Sequence, residues 1–153
     1  MGNNEKEMAM LSAEHIMDLE VYCTPANIVG KSDMGYFRSI PIVGGTVSGK
    51  ISGKILPGFD WNTCYGGETD ADSTTKNMEA RYLIQTDDDT IIAIHNRVFE
   101  DLTKPRRTVV CTPYFTAPEG KYQWLNTGVK VGILTSGPKD GMFVVNIKVY
   151  LMD

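Results

Sequence analysis

The chain has no run of apolar residues approaching the roughly 18 needed for a membrane helix. It has only two histidines, His15 and His95, in 153 residues. Neither has a cysteine or histidine partner at ligand spacing, which excludes a histidine-based metal site. No Gly-x-Ser-x-Gly elbow occurs, so a hydrolase built on that device is excluded too. The three cysteines, Cys23, Cys64 and Cys111, are odd in number, far apart and without a Cys-x-x-Cys pair. They read as free thiols in a reducing compartment. Fifteen Lys and Arg stand against nineteen Asp and Glu, a net charge of -4. No cationic face emerges, so nucleic acid and anionic membrane are not expected partners. The short Lys104-Pro105-Arg106-Arg107 cluster reads as a solvated loop. MGNNEKEMAM at the start lacks a signal-peptide apolar core. Together these absences predict a soluble, cytoplasmic protein, with residues 1–14 a flexible segment and 15–153 one domain.

What is present is alternation. In Thr46 to Leu56, Val47, Gly49, Ile51, Gly53 and Ile55 share one side, while Thr46, Ser48, Lys50, Ser52, Lys54 and Leu56, all but the last polar, occupy the other. A period of two is that of a half-buried strand. Gly49 and Gly53 within it imply sharp coiling or the close approach of another group. Gly44 to Lys50 imitates a phosphate-binding loop, but Ile51 replaces the Ser or Thr and no helix starts there, so that function is set aside.

The same rule extends along the chain. Met17, Leu19 and Val21 mark a first strand. Thr24 to Gly35 reads as a connection without structure of its own. Tyr36 to Val43 is a strand that Pro41 places at an edge or bulge, and Gly44-Gly45 is read as a turn. Lys76 to Thr86 and Thr90 to Phe99 form a hairpin around Asp87-Asp88-Asp89. Met78, Ala80, Tyr82 and Ile84 share a face in its first arm, as do Ile92, Ile94, Asn96 and Val98 in its second. Tyr122, Trp124 and Asn126 lie at spacing two and are expected to face the same way. Val129 to Leu134 and Met142 to Leu151 complete the set. Eight to ten short strands with little helix predict an all-β fold, a single antiparallel barrel lipocalin-like in broad architecture.

A barrel of eight strands is just wide enough inside for side chains or one small ligand. Sites in such barrels combine aromatic walls with a few polar groups. Trp61, Arg81, Asn96, Arg97, Trp124 and Asn126 are the candidate ligand-binding residues. Asp60 and Glu79 are the candidate general acid and base. Asn96 stands out as an amide at the end of an apolar stripe, where unpaired donors or acceptors cost about 1 to 3 kcal/mol each. The bland alternative is that Glu79 and Arg81 form an outward pair and the tryptophans belong to the core. Asp70 and Asp72 in the loop GGETDADSTT suggest a calcium loop, but its glycine and closing glutamate are missing.

Three blocks carry a resemblance: IPIVGGTVSGKISGKILPGFDW (Ile40 to Trp61), EARYLIQTDDDTIIAIHNR (Glu79 to Arg97) and APEGKYQWLN (Ala117 to Asn126). They resemble the microbial family known as domain of unknown function 3237. Gly44, Gly45 and Thr46 match its Gly-Gly-Thr, Asp60 and Trp61 its Asp-Trp, and Glu79-Ala80-Arg81-Tyr82 its Asp-Ala-Arg-Tyr. Asn96 and Arg97 match its Asn-Arg, and Trp124-Leu125-Asn126 matches directly. Asp88-Asp89 stands where the family has an Asp-Gly turn. The resemblance implies one β-barrel domain and assigns no general activity.

Three functions compete. The first is binding of a small aromatic or carbonyl-containing metabolite inside the barrel, without a cofactor or metal. The second is a cofactor-free isomerase or lyase with a carboxylate as acid and base. The third is an oligomeric structural or partner-binding domain, with a homodimer as its simplest form. Whether the polar candidates converge in one concave site discriminates among them.

Overall fold

The structure is a computed structural model that describes residues 7–105 and 108–153. Residues 1–6 of the expected flexible segment, and Arg106 and Arg107 of the expected solvated loop, lie outside the described residues. Ten strands follow one another: β1 (Ala13–Cys23), β2 (Asn27–Ser32), β3 (Gly35–Gly49), β4 (Gly53–Ile55), β5 (Gly58–Tyr65), β6 (Thr75–Thr86), β7 (Ile91–Asp101), β8 (Val109–Thr116), β9 (Lys130–Lys139) and β10 (Met142–Met152). A 3-10 turn, Gln123–Asn126, interrupts the series, and no α-helix occurs among the described residues.

All pairings are antiparallel, and the wall runs β1-β10-β9-β8-β7-β6, then β4 and β5 side by side in sequence, then β3. The second half of β3 pairs back onto β1, which closes an eight-stranded barrel. The first half of β3 pairs with β5 on one side and β2 on the other. The expected barrel is therefore present.

Several boundaries differ from the sequence reading. Gly44-Gly45 is not a turn but lies within the 15-residue β3, and the predicted strand Thr46 to Leu56 breaks between β3 and β4. Alternation is nonetheless kept across the break, because Val47, Ile51 and Ile55 all remain buried. Two glycines make the tight approach possible. A Cβ on Gly49, at φ +122, would stand 2.7 Å from the Ile16 carbonyl oxygen; one on Gly53 would stand 2.3 Å from that of Gln85. Both distances are too short for any side chain, which is the close approach expected at these positions. Thr24 to Gly35, read as unstructured, contains β2, a short strand that continues the wall beyond β1. Pro41 falls where β3 changes partner from β1 to β2, so its missing N–H costs no ladder hydrogen bond.

The core is what the alternation predicts. Met17, Leu19 and Val21 of β1, Ile84 of β6, and Ile92 and Ile94 of β7 point inward and are buried. At one end of the barrel the 3-10 turn contributes the fully buried Leu125 to the same apolar core as Ile16, Met17 and Ile51. Lys130, itself buried, holds that turn by donating to the carbonyls of Leu125 and Thr127. The β6–β7 turn is at the same end. Asp89 adopts φ 65 there, the left-handed conformation usually given to glycine. Asp88 secures the turn by accepting from Thr86 and, at 3.1 Å, from the Tyr122 hydroxyl.

Candidate functional site

The polar groups inside the barrel lie toward the other end and are placed by register. Ile40, Asp60, Ala80, Asn96 and Pro113 stand side by side on β3, β5, β6, β7 and β8. The row beyond it holds Arg38, Asn62, Met78 and Val98, and the next holds Tyr36, Cys64, Lys76 and Glu100. Ala80 is small, and it separates Asp60 from Asn96. The space so left is part of a cavity of about 40 Å3, room for a few waters. Asp60, Asn96 and Tyr82 supply its polar lining, and Val21, Ile42, Met78, Val98, Leu134 and Val145 much of its apolar wall.

Asp60 is the electrostatic centre. Burial pushes its carboxyl up from 3.8 to about 6, against the opposing pull of the Lys76 and Arg38 charges and a hydrogen bond from Asn62. That bond runs from Asn62 Nδ2 to Asp60 Oδ1 at 3.0 Å. The Cys23 thiol is pushed up to about 11, first by burial and then by the Asp60 charge, so it is not a nucleophile near neutral pH. Burial also raises Tyr82 well above the ordinary phenol range, which keeps its hydroxyl protonated. Lys76 is lowered by burial and by the neighbouring Arg38 charge. Arg38 Nη1 donates to Asp70 Oδ2 at 3.0 Å, which ties β3 to the loop after β5.

Four buried polar atoms in this group meet no protein partner: Arg38 Nε, Asn62 Oδ1, Tyr82 OH and Asn96 Oδ1. Buried polar groups are normally paired, and each exception costs about 1 to 3 kcal/mol. Asn62 is completely buried and Asn96 is 5% exposed, so bulk solvent does not serve them.

The eight sequence candidates fall in three places. Asp60 and Asn96 share the interior row. Trp61, Glu79, Arg81 and Arg97 have the opposite phase and lie on the outer wall, where Trp61 is 57% exposed. Glu79 there sits 3.1 Å from His95 Nε2 and 3.3 Å from Arg97 Nε, and Phe37 meets the Trp61 ring edge-on. Trp124 and Asn126 form the third group. They belong to the 3-10 turn and not to a strand, so the spacing of two does not give them a common face. Asn126 clamps Ala117, accepting from its N–H at 2.7 Å and donating to its carbonyl at 2.9 Å. Trp124 lies beside Lys50 and Leu151.

Tyr82, Asn62, Arg38 and Lys76 were not among the candidates. Their signal was the interior phase: Asp60, Asn62 and Cys64 alternate, and Tyr82 continues the stripe of Met78 and Ala80. Asp72 of the aspartate-rich loop accepts the backbone N–H groups of Glu68 and Thr69 at 3.0 and 2.7 Å, a local turn within that loop.

Comparison with known proteins agrees with the architecture. A UPF0311 protein of Bradyrhizobium diazoefficiens is 32% identical over 114 residues, covering 63% of this chain and 69% of that protein. A second, from Rhodopseudomonas palustris, is 31% identical over 88 residues, 56% of this chain and 54% of its own length. Among solved structures, a beta-barrel-like protein of Acinetobacter baumannii superposes with a TM-score of 0.77 at 26% identity, covering 97% of this chain and 100% of that one. An enzyme from Penicillium herquei shares the fold with a TM-score of 0.66 at 22% identity, covering 95% and 98% of the two chains. The profile of the family described as protein of unknown function (DUF3237) matches residues 11–152. Barrel, register and sequence blocks thus lead to one assignment: the chain belongs to the DUF3237 family.

Proposed function

We propose that the barrel interior binds a small aromatic or carbonyl-containing metabolite beside Asp60, and that Asp60 exchanges a proton with it in a cofactor-free isomerase or lyase reaction. The observation that carries this reading is the group of unmet polar atoms around a carboxyl whose pKa lies near 6. A general base works best when its pKa is close to the working pH. Near neutrality Asp60 is mostly ionised and can take a proton from carbon next to a carbonyl. The Tyr82 hydroxyl donates to the carbonyl oxygen as negative charge develops there. The proton then held by Asp60 returns to a neighbouring carbon in an isomerisation, or to the departing group in an elimination. No electron acceptor is needed.

A ligand larger than the cavity displaces Met78 and Leu134, which are only partly buried. Methionine suits that role because its side chain repacks at low cost. The Penicillium herquei enzyme has the same fold, so a reaction on such a barrel has precedent.

The test begins with a thermal-shift screen of aromatic and keto acids and ketones. Hits are then incubated in deuterated water, and exchange at the carbon next to the carbonyl is followed by NMR. Wild-type protein is expected to promote exchange and Asp60→Asn to abolish it. Tyr82→Phe should slow exchange about 100-fold, the scale of one lost oxyanion donor. A screen without a stabilised hit, or hits whose exchange is indifferent to both substitutions, overturns the reading.

A further inference from the structure

The unmet atoms differ in kind, and their kinds describe what would satisfy them. The Asn62 amide nitrogen donates to Asp60 Oδ1 at 3.0 Å, which orients that amide, and the Asn96 side chain lies near the Cys111 thiol. The two Oδ1 atoms are buried acceptors that no protein donor reaches. With the Asp60 carboxylate they make this part of the barrel rich in acceptors. Among the fully buried atoms of this group, Tyr82 OH and Arg38 Nε are the donors without a partner. An oxygen that can only accept is poorly matched to such a set; a group carrying O–H is well matched.

We propose that the ligand is a hydroxylated carbonyl compound, whose hydroxyl groups donate to Asn96 Oδ1 and Asn62 Oδ1 while its carbonyl oxygen accepts from Tyr82. This rests on the interior site proposed above and names the ligand class for it. The apolar walls from Val21, Ile42 and Val145 receive the hydrocarbon part. Arg38 Nε is the donor available to an oxygen at the outer end of the ligand. A site built to hydrogen-bond a hydroxyl discriminates strongly against the analogue that lacks one, because its own buried groups are then left unpaired.

Three probes sharing one phenyl ketone frame separate this inference from the broader one: 2-hydroxyacetophenone, acetophenone, and 2-methoxyacetophenone, which keeps the oxygen but loses the donor. Dissociation constants are measured by NMR titration of the full chain. The hydroxy compound is expected to bind at least about tenfold more tightly than either analogue. In Asn96→Leu, an apolar replacement of similar shape, the ratio should fall toward one while thermal stability is kept. Stability measured on the same sample shows whether the variant is folded, and the wild-type ratio stands without it. Three probes binding with equal affinity would refute the hydroxyl assignment and leave the interior site in place. Tighter binding of the methoxy compound would also refute it. If no probe binds and the wider screen yields no hit, both readings fall together, and the unmet atoms belong to buried waters.

Discussion

Replacing Asp60 by asparagine removes a charge while keeping the shape of the side chain and its contact with Asn62. In the folded protein this carboxyl has a pKa of about 6, against 3.8 for the ordinary group. Between those two values the folded chain holds a proton that the unfolded chain has released. Stability contributed by this group is therefore present below pH 3.8 and is lost as pH rises toward 6. A shift of about two units, at roughly 1.4 kcal/mol each, amounts to about 3 kcal/mol. Partial exposure of the residue lowers the expected effect toward 2 kcal/mol. Asparagine does not ionise and escapes the penalty. Asp60→Asn should match the wild type within about 1 kcal/mol at pH 3.5 and exceed it by about 2 to 3 kcal/mol at pH 7.5. For a chain of this length that is a rise in Tm of roughly 6 to 9 °C. Urea denaturation of both proteins at several pH values between 3.5 and 7.5 measures the difference directly, since carboxylates common to both cancel. A difference that does not change with pH would refute the argument from burial. So would a variant less stable than the wild type at pH 7.5.

Two further outcomes test the frame around the site. Gly53→Ala should destabilise the fold by more than about 2 kcal/mol in urea denaturation, because the new Cβ meets the Gln85 carbonyl oxygen at 2.3 Å and backbone must move. Asn126→Ala should cost about 2 to 3 kcal/mol, since it leaves both the N–H and the carbonyl of Ala117 without their partner. It should not change the affinity of any ligand held at Asp60, as NMR titration would show.

The barrel was legible in the sequence because period-two alternation is written into nearly every segment, and burial enforces it. The breaks were less legible. Gly44-Gly45 reads as a turn on composition, yet β3 runs through it, because glycine serves close strand approach as well as reversal. Trp124 and Asn126 do not share the face that their spacing of two predicts, because three residues at that spacing are too few to distinguish the periods. The site was half legible for a different reason. Asp60 was grouped with Trp61, and Asn96 with Arg97, although neighbours on a strand face opposite sides of the wall. Followed strictly, the same alternation selects Asp60, Asn62, Tyr82 and Asn96 for the interior and sends Trp61, Glu79, Arg81 and Arg97 outside. Arg38 and Lys76 share that phase with Ile40 and Met78, but their nearness to Asp60 needed the register between strands, which depends on contacts distant in sequence.

Leu125 joins Ile16, Met17 and Ile51 in the apolar core at the end of the barrel that carries the 3-10 turn. On the proposed reading a ligand would come and go at the opposite end, so a product retaining the polar handles of its precursor would compete for the same passage and slow turnover as it accumulates.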